Sequence, residues 1–251
     1  MLVRFGRSVL ALGFVVLISS SAVGHSAALG NVSATSLMAR TVVGAPVLPS
    51  LIAWEDFDGT NGAALAGTTT DVGAKSWTAP RCTWSLASNK AKSTSGDCPL
   101  LINAATVNLS TEVKLFRNGA TAWDAGVVFD ANSAATKFLT VEYTSASNGS
   151  IEIWKYTGSW VSLGSTTNLY PSGVATAPAS ITLRVVAAAP VSPATVGEIR
   201  VSVSVDGVQR LAVTLSAADQ TTFKAAAQSF AGPYTYNDSS SSFDSFLAEA
   251  P

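Results

Sequence analysis

The chain has 251 residues, with 15 basic and 16 acidic side chains and a net charge of −1. Charged residues make up only 12%, and no cluster of lysine and arginine offers a nucleic-acid surface. His25 is the only histidine, so the chain beyond it lacks the usual general base and the commonest zinc ligand, which argues against Ser–His or Cys–His catalysis and against a zinc centre.

Residues 1–28 read as a signal peptide. Arg4 and Arg7 form a basic start, Val9 to Ile18 is apolar, and Ala22-Val23-Gly24 or Ser26-Ala27-Ala28 fits a cleavage site. The apolar run is shorter than the roughly 18 residues that a membrane span needs. The expectation is a secreted or extracellular-surface protein with no membrane span in its mature form; the alternative is an uncleaved N-terminal anchor. Removal of Arg4 and Arg7 leaves 13 basic residues against 16 acidic ones, a net charge of about −3. Residues 29–50, with Pro46 and Pro49, read as a linker. Residues 51–251 are long enough for one all-β domain with a full core.

Leu51 to Phe57 reads as the first strand, broken by Asp58-Gly59 and Asn61-Gly62. Lys75 to Trp77, Cys82 to Leu86 and Lys90 to Ser93 read as short strands. Cys82 and Cys98 are the only cysteines, and in an exported chain they read as a disulfide, with two separate buried thiols as the alternative. Closing a loop of this length contributes about 3 kcal/mol. Leu100 to Ile102 and Asn108 to Phe116 continue the sheets, with Glu112 and Lys114 expected to face water.

The central stretch, Trp123 to Tyr156, carries three strands in a row: WDAGVVFD, KFLTVEY and IEIWKY. Asn148-Gly149 signals a hairpin. A two-residue loop would set Glu142 opposite Lys155; a longer one would align Ile151 and Ile153 with Tyr143 and Val141. The sequence leaves that register open. Trp160 to Leu163 and Ile181 to Val185 follow, and Ile199 to Val205 turns at Asp206-Gly207. Leu211, Val213 and Leu215 would fall on the wrong face in a plain hairpin, which predicts a bulge near Gln209-Arg210. Ser216 to about Gln228 is the best helix, with Ser216 as cap and Phe223 as buried contact. Tyr234 to Ser242 reads as polar loop, and Ser242 to Ala248 as the last strand.

WEDFDGTNG, WDAGVVFD, the FLTVEY and IEIWKY pair, VSVDGV and FDSF occur in this order, and together the set resembles the laminin-G-like branch of the concanavalin A-like lectin/glucanase superfamily. The resemblance covers about Leu51 to Leu247. It implies an all-β fold, an antiparallel jelly-roll sandwich of two curved sheets, here with one short helix near the C-terminus. It also implies that Ala53 to Phe57 pairs with Phe243 to Leu247, that the ligand is a carbohydrate or a cell-surface partner, and that calcium serves as a structural ion.

If the terminal strands pair, Glu55, Asp58 and Asp244 come together with Asp56 as oxygen ligands for calcium. Trp160, Tyr234 and Tyr236 sit in loop-like contexts and are the candidate glycan-stacking residues, whereas Trp123 and Trp154 read as core. Superfamily glucanases carry two glutamates flanking an aspartate at alternate strand positions, and no such string occurs here. Glu142 and Glu152 meet in one hairpin register only, and a solvated face is the preferred reading for them. No catalytic residue is assigned. The leading function is an exported, non-catalytic binding module for a polysaccharide, or for a cell-surface glycan or protein. A glycan-cleaving enzyme (glycoside hydrolase or polysaccharide lyase) and a structural or adhesive surface protein are the alternatives.

Overall fold

The computed structural model describes residues 49–251 except 95, 117–123, 145–147, 174–176, 191–192 and 194. The expected signal peptide, nearly all of the expected linker and Trp123 lie outside the described residues. Among the described residues no helix is long and apolar enough to cross a membrane.

The strands run β1 (Ser50–Glu55), β2 (Trp84–Leu86), β3 (Ala91–Ser93), β4 (Cys98–Pro99), β5 (Ile102–Asn103), β6 (Leu109–Phe116), β7 (Asp124–Ala131) and β8 (Phe138–Thr144). They continue through β9 (Ser150–Tyr156), β10 (Trp160–Thr166), β11 (Ser180–Ala188), β12 (Arg200–Val205), β13 (Val208–Thr214), β14 (Phe230–Thr235) and β15 (Ser242–Ala250). One antiparallel sheet has the order β13-β12-β11-β6-β15-β3-β2, with β1 also paired to β15; the other has the order β10-β9-β8-β7-β14-β4, with β5 also on β14.

Alternation builds the core between the sheets. Val113 and Leu115 of β6, Leu183 and Val185 of β11 and Val201 and Val203 of β12 point inward, as do Val127 and Phe129 of β7, Val141 and Tyr143 of β8 and Ile151 and Ile153 of β9. Trp77 packs edge-on against Phe246 at 5.3 Å and beside Phe57 at 5.8 Å, and large rings of this kind dominate the apolar area removed from water. On the outer face of the first sheet, Glu112 and Lys114 are half-exposed. Glu112 lies 3.4 Å from Arg184, and Lys114 lies 3.1 Å from Asp244.

Three registers left to tertiary structure are now fixed. Tyr143 pairs with Ile151 and Val141 with Ile153, the longer-loop alternative for the central hairpin. Val203 pairs with Leu211 and Ser204 with Gln209, so Arg210 is the extra residue of the expected bulge. The terminal strands pair, but over Ser50–Glu55 and residues 246–250 and not over Ala53 to Phe57 and Phe243 to Leu247: Ala53 is opposite Ala248 and Glu55 opposite Phe246, and Ser50 faces Ala250 at the far end. Cys82 and Cys98 form a disulfide with their Cα atoms 5.6 Å apart.

The helix is shorter than expected. Helix α1 spans Ala217–Phe223, capped by Ser216, and a separate 3₁₀ turn occupies Ala226–Gln228. Lys224, at its C-terminal end, turns inward. Its ammonium lies 2.7 Å from the carboxylate of Asp130, and it also donates to the Val107 and Ala187 carbonyls. Burial pushes the Asp130 carboxyl up to about 7 against the opposing pull of Lys224, and the same burial lowers Lys224.

Candidate functional site

The outer face of the second sheet is not a plain solvated surface. Every residue of β8 is buried, including Phe138, Thr140, Glu142 and Thr144, which point away from the inter-sheet core. A second apolar cluster covers this face: Leu101, Val128, Ala131, Ala135, Phe138 and Tyr234, with Tyr156, Trp160 and Tyr236 packed against it. Arg81 lies over the rings of Phe138 and Tyr156 and is paired with Asp97.

Beside this cluster a cleft of about 320 Å³ opens. It is lined by Asp124, Glu142, Thr144, Glu152, Trp154, Trp160 and Tyr236. Strand register explains the assembly. Glu142 and Glu152 are directly opposed on β8 and β9, and Asp124 is opposed to Thr144 on β7 and β8. The Tyr236 amide donates to the Asp124 carbonyl at 2.7 Å, which continues the β14 pairing and brings Tyr236 beside Asp124. Trp160 opens β10 opposite Tyr156. Gly126, the β7 partner of Glu142, has no room for a side chain, since a Cβ there would stand 1.9 Å from the Val141 carbonyl oxygen.

The cleft is acidic and braced. The Trp154 indole N–H donates to Glu152 at 2.9 Å, which fixes the ring. Trp160 stands edge-on to Tyr236 at 5.7 Å and to Trp154 at 6.5 Å. Glu142 is 7% exposed, and no described residue donates a hydrogen bond to its carboxyl. Burial, then the negative charges of Asp124, Glu152 and Asp97, push that carboxyl up to about 8. Asp124 is also raised, by burial first, with the Thr144 hydrogen bond opposing and Asp238 and Glu152 adding to the rise. Burial acts on Asp238 in the same sense, but hydrogen bonds from Ser240 and Ser241 hold it below the usual carboxylate range.

The expected aromatic set divides. Trp160 and Tyr236 line the cleft, but Tyr234 is 0% exposed, within β14 rather than in a loop, and its hydroxyl donates to Asp97 at 2.7 Å. It is a packing residue of the outer cluster, because β14 runs through Gly232-Pro233 and ends only at Thr235. Trp154, read as core, stands instead on the cleft face. The strand parity that sends Ile151 and Ile153 inward sends Glu152 and Trp154 outward, so that signal was present in the sequence.

The expected calcium set also divides. Glu55, Asp56 and Asp71 each offer a carboxylate oxygen within 4.8 Å of the others. Asp58 and Asp244 are not in this group. Asp58 is in the following turn, where its amide donates to Asp56, and Asp244 pairs with Lys114 and Lys90. Glu55 accepts from the Phe57 amide and the Trp77 indole. Burial raises its carboxyl, the Trp77 bond opposes this, and the Asp71 and Asp56 charges add to it. Hard oxygens around a raised carboxyl suit a calcium ion.

The architecture is a β-sandwich of two antiparallel sheets. No family model and no curated relative matches the chain. Among solved structures, the GH43 protein BlXynB from Bacillus licheniformis is 18% identical over 79% of this chain and 39% of its own, with a TM-score of 0.51. The likeness therefore spans less than half of that protein. The carbohydrate binding module CBM66 from Bacillus subtilis is 14% identical over 69% of this chain and 94% of its own, with a TM-score of 0.49. The endo-1,3-beta-glucanase from Streptomyces sioyaensis is 15% identical over 82% and 98%, with a TM-score of 0.47. At these identities the likeness to BlXynB establishes the fold and nothing finer.

Proposed function

We propose that the protein is an exported, non-catalytic module that binds a glycan in the cleft on the outer face of its second sheet. One observation carries the reading: Trp154, Trp160 and Tyr236 share a cleft with Asp124, Glu142, Thr144 and Glu152. The rings offer faces to the C–H groups of a sugar, and the carboxylates accept from its hydroxyls. The fold alone hosts many functions, and the cleft side chains are what would select a ligand. Titration against neutral oligosaccharides tests it. Trp154→Ala should weaken binding by about 1 to 3 kcal/mol, as loss of an aromatic anchor does. Unchanged affinity in that variant, or no binding to any oligosaccharide, overturns the reading.

A second reading, glycan cleavage, is favoured by the direct opposition of Glu142 and Glu152. Opposed Cβ atoms lie about 5 Å apart, within reach of the carboxyl spacing of glycosidases, and a glutamate held protonated suits a general acid. Release of reducing ends, lost in Glu142→Gln, separates cleavage from binding.

For calcium, Glu55, Asp56 and Asp71 would hold the ion and tie the end of β1 to the 71 loop. A native-state ligand raises Tm by mass action. Chelator should therefore lower Tm, and an equal Tm with and without chelator, matched in Asp71→Ala, removes the site.

A further inference from the structure

We propose that the cleft selects glycans bearing free amines, oligosaccharides of glucosamine, over neutral and uronate-containing ones. This rests on the glycan reading of the same cleft and adds the charge of its ligand. Asp124, Glu142 and Glu152 line the cleft, and no lysine or arginine is among its described lining residues. Two basic side chains of this sheet and its outer cluster are committed elsewhere: Arg81 to Asp97, and Lys155 to Asp219 at 2.6 Å. Asp238, whose carboxylate also bears on Asp124, is satisfied by serine hydroxyls and amides and not by a cation.

Like charges directly opposite on neighbouring strands destabilise a sheet. Glu142 and Glu152 are so placed, and Glu142 is more than nine-tenths buried with no donor among the described residues. Two carboxyls so placed resist ionising together, and a cation between them relieves that resistance. A bare metal ion fits poorly, because these carboxylate oxygens are not gathered within 4.8 Å of one another as those of Glu55, Asp56 and Asp71 are. A spread set of acceptors matches a ligand that presents an ammonium group and hydroxyls from one rigid ring. The walls agree, since an ammonium over an indole or phenol face is attracted by the ring quadrupole. A uronate would meet no cation among the described lining residues.

The full chain is titrated with glucosamine oligomers, glucose oligomers of the same linkage and length, and a uronate oligomer, at a pH where the sugar amine is charged. The glucosamine oligomer should bind about tenfold tighter than its glucose counterpart, the scale of a cation–π contact joined to a partly buried ion pair. Added salt should narrow that gap, and Glu152→Gln should narrow the ratio of the two affinities whatever it does to each of them. Equal affinities with no salt dependence overturn the charge inference and leave the glycan site standing. Tighter uronate binding also overturns it. Binding of no oligomer removes both. The salt series uses the unaltered protein, so the outcome does not depend on any variant folding.

Discussion

Glu142→Gln should stabilise the protein at neutral pH. The Glu142 carboxyl is raised from 4.5 to about 8 by burial and by neighbouring carboxylates. At pH 7 the unfolded chain ionises this glutamate, while the folded chain holds it protonated. The difference spans about 2.5 pH units, and at about 1.36 kcal/mol per unit it costs the fold about 3 kcal/mol. Glutamine has the same shape and nothing to ionise, so the variant should regain about that amount at pH 7. Below the unfolded value of 4.5 both states are protonated and the two proteins should be equally stable. Because the folded value is the higher one, the stability that the protonated group confers is complete at low pH and is lost as pH rises through about 8. Urea melts of both proteins across this window give the comparison, since titrating groups not coupled to Glu142 cancel in the difference. Parallel stability curves, or a variant less stable at pH 7, would refute the reasoning.

Lys224→Met leaves the Asp130 carboxyl in the core without its cation, and should cost about 3 to 5 kcal/mol in a denaturant melt near pH 8. The loss should shrink as pH falls below about 7, where Asp130 takes up a proton even in the intact protein. Gly126→Ala sets a Cβ against the Val141 backbone and should cost about 1 to 3 kcal/mol or more, with weaker glycan binding as Glu142 shifts; an unchanged melt would disprove the close approach. Cys98→Ala should lower stability by about 3 kcal/mol, read against the wild type under oxidising conditions.

Much of this architecture is written in short-range pattern. The alternation of KFLTVEY and IEIWKY gives the strands, and the facing requirement of Leu211 and Val213 gives the bulge that leaves Arg210 unpaired. The central register was not legible, because the loop length at Asn148-Gly149 decides it and either choice keeps alternation. The cleft was hidden for a related reason. Parity tells which residues leave the inter-sheet core, but not whether other elements cover the opposite face. Glu142 therefore looked solvated, although Phe138, Tyr234 and their neighbours bury that side. Tyr234 was misplaced because Gly232-Pro233 interrupts the strand pattern, and proline is rare inside a sheet. Asp58 and Asp244 were drawn into a metal set by strand pairing alone. The paired lysines claim Asp244, and Asp71, distant in sequence, completes the group instead.

The antiparallel pairing of the first and last strands, with Ser50 opposite Ala250, has a mechanical consequence. Its hydrogen bonds run perpendicular to the strands. A pull applied through residues 50 and 250 acts at one end of the ladder and parts the rungs one after another, as a zipper opens. The same pair dragged along its length would have to lose all of them together. Resistance to force through these ends is therefore set by single rungs and not by thermal stability.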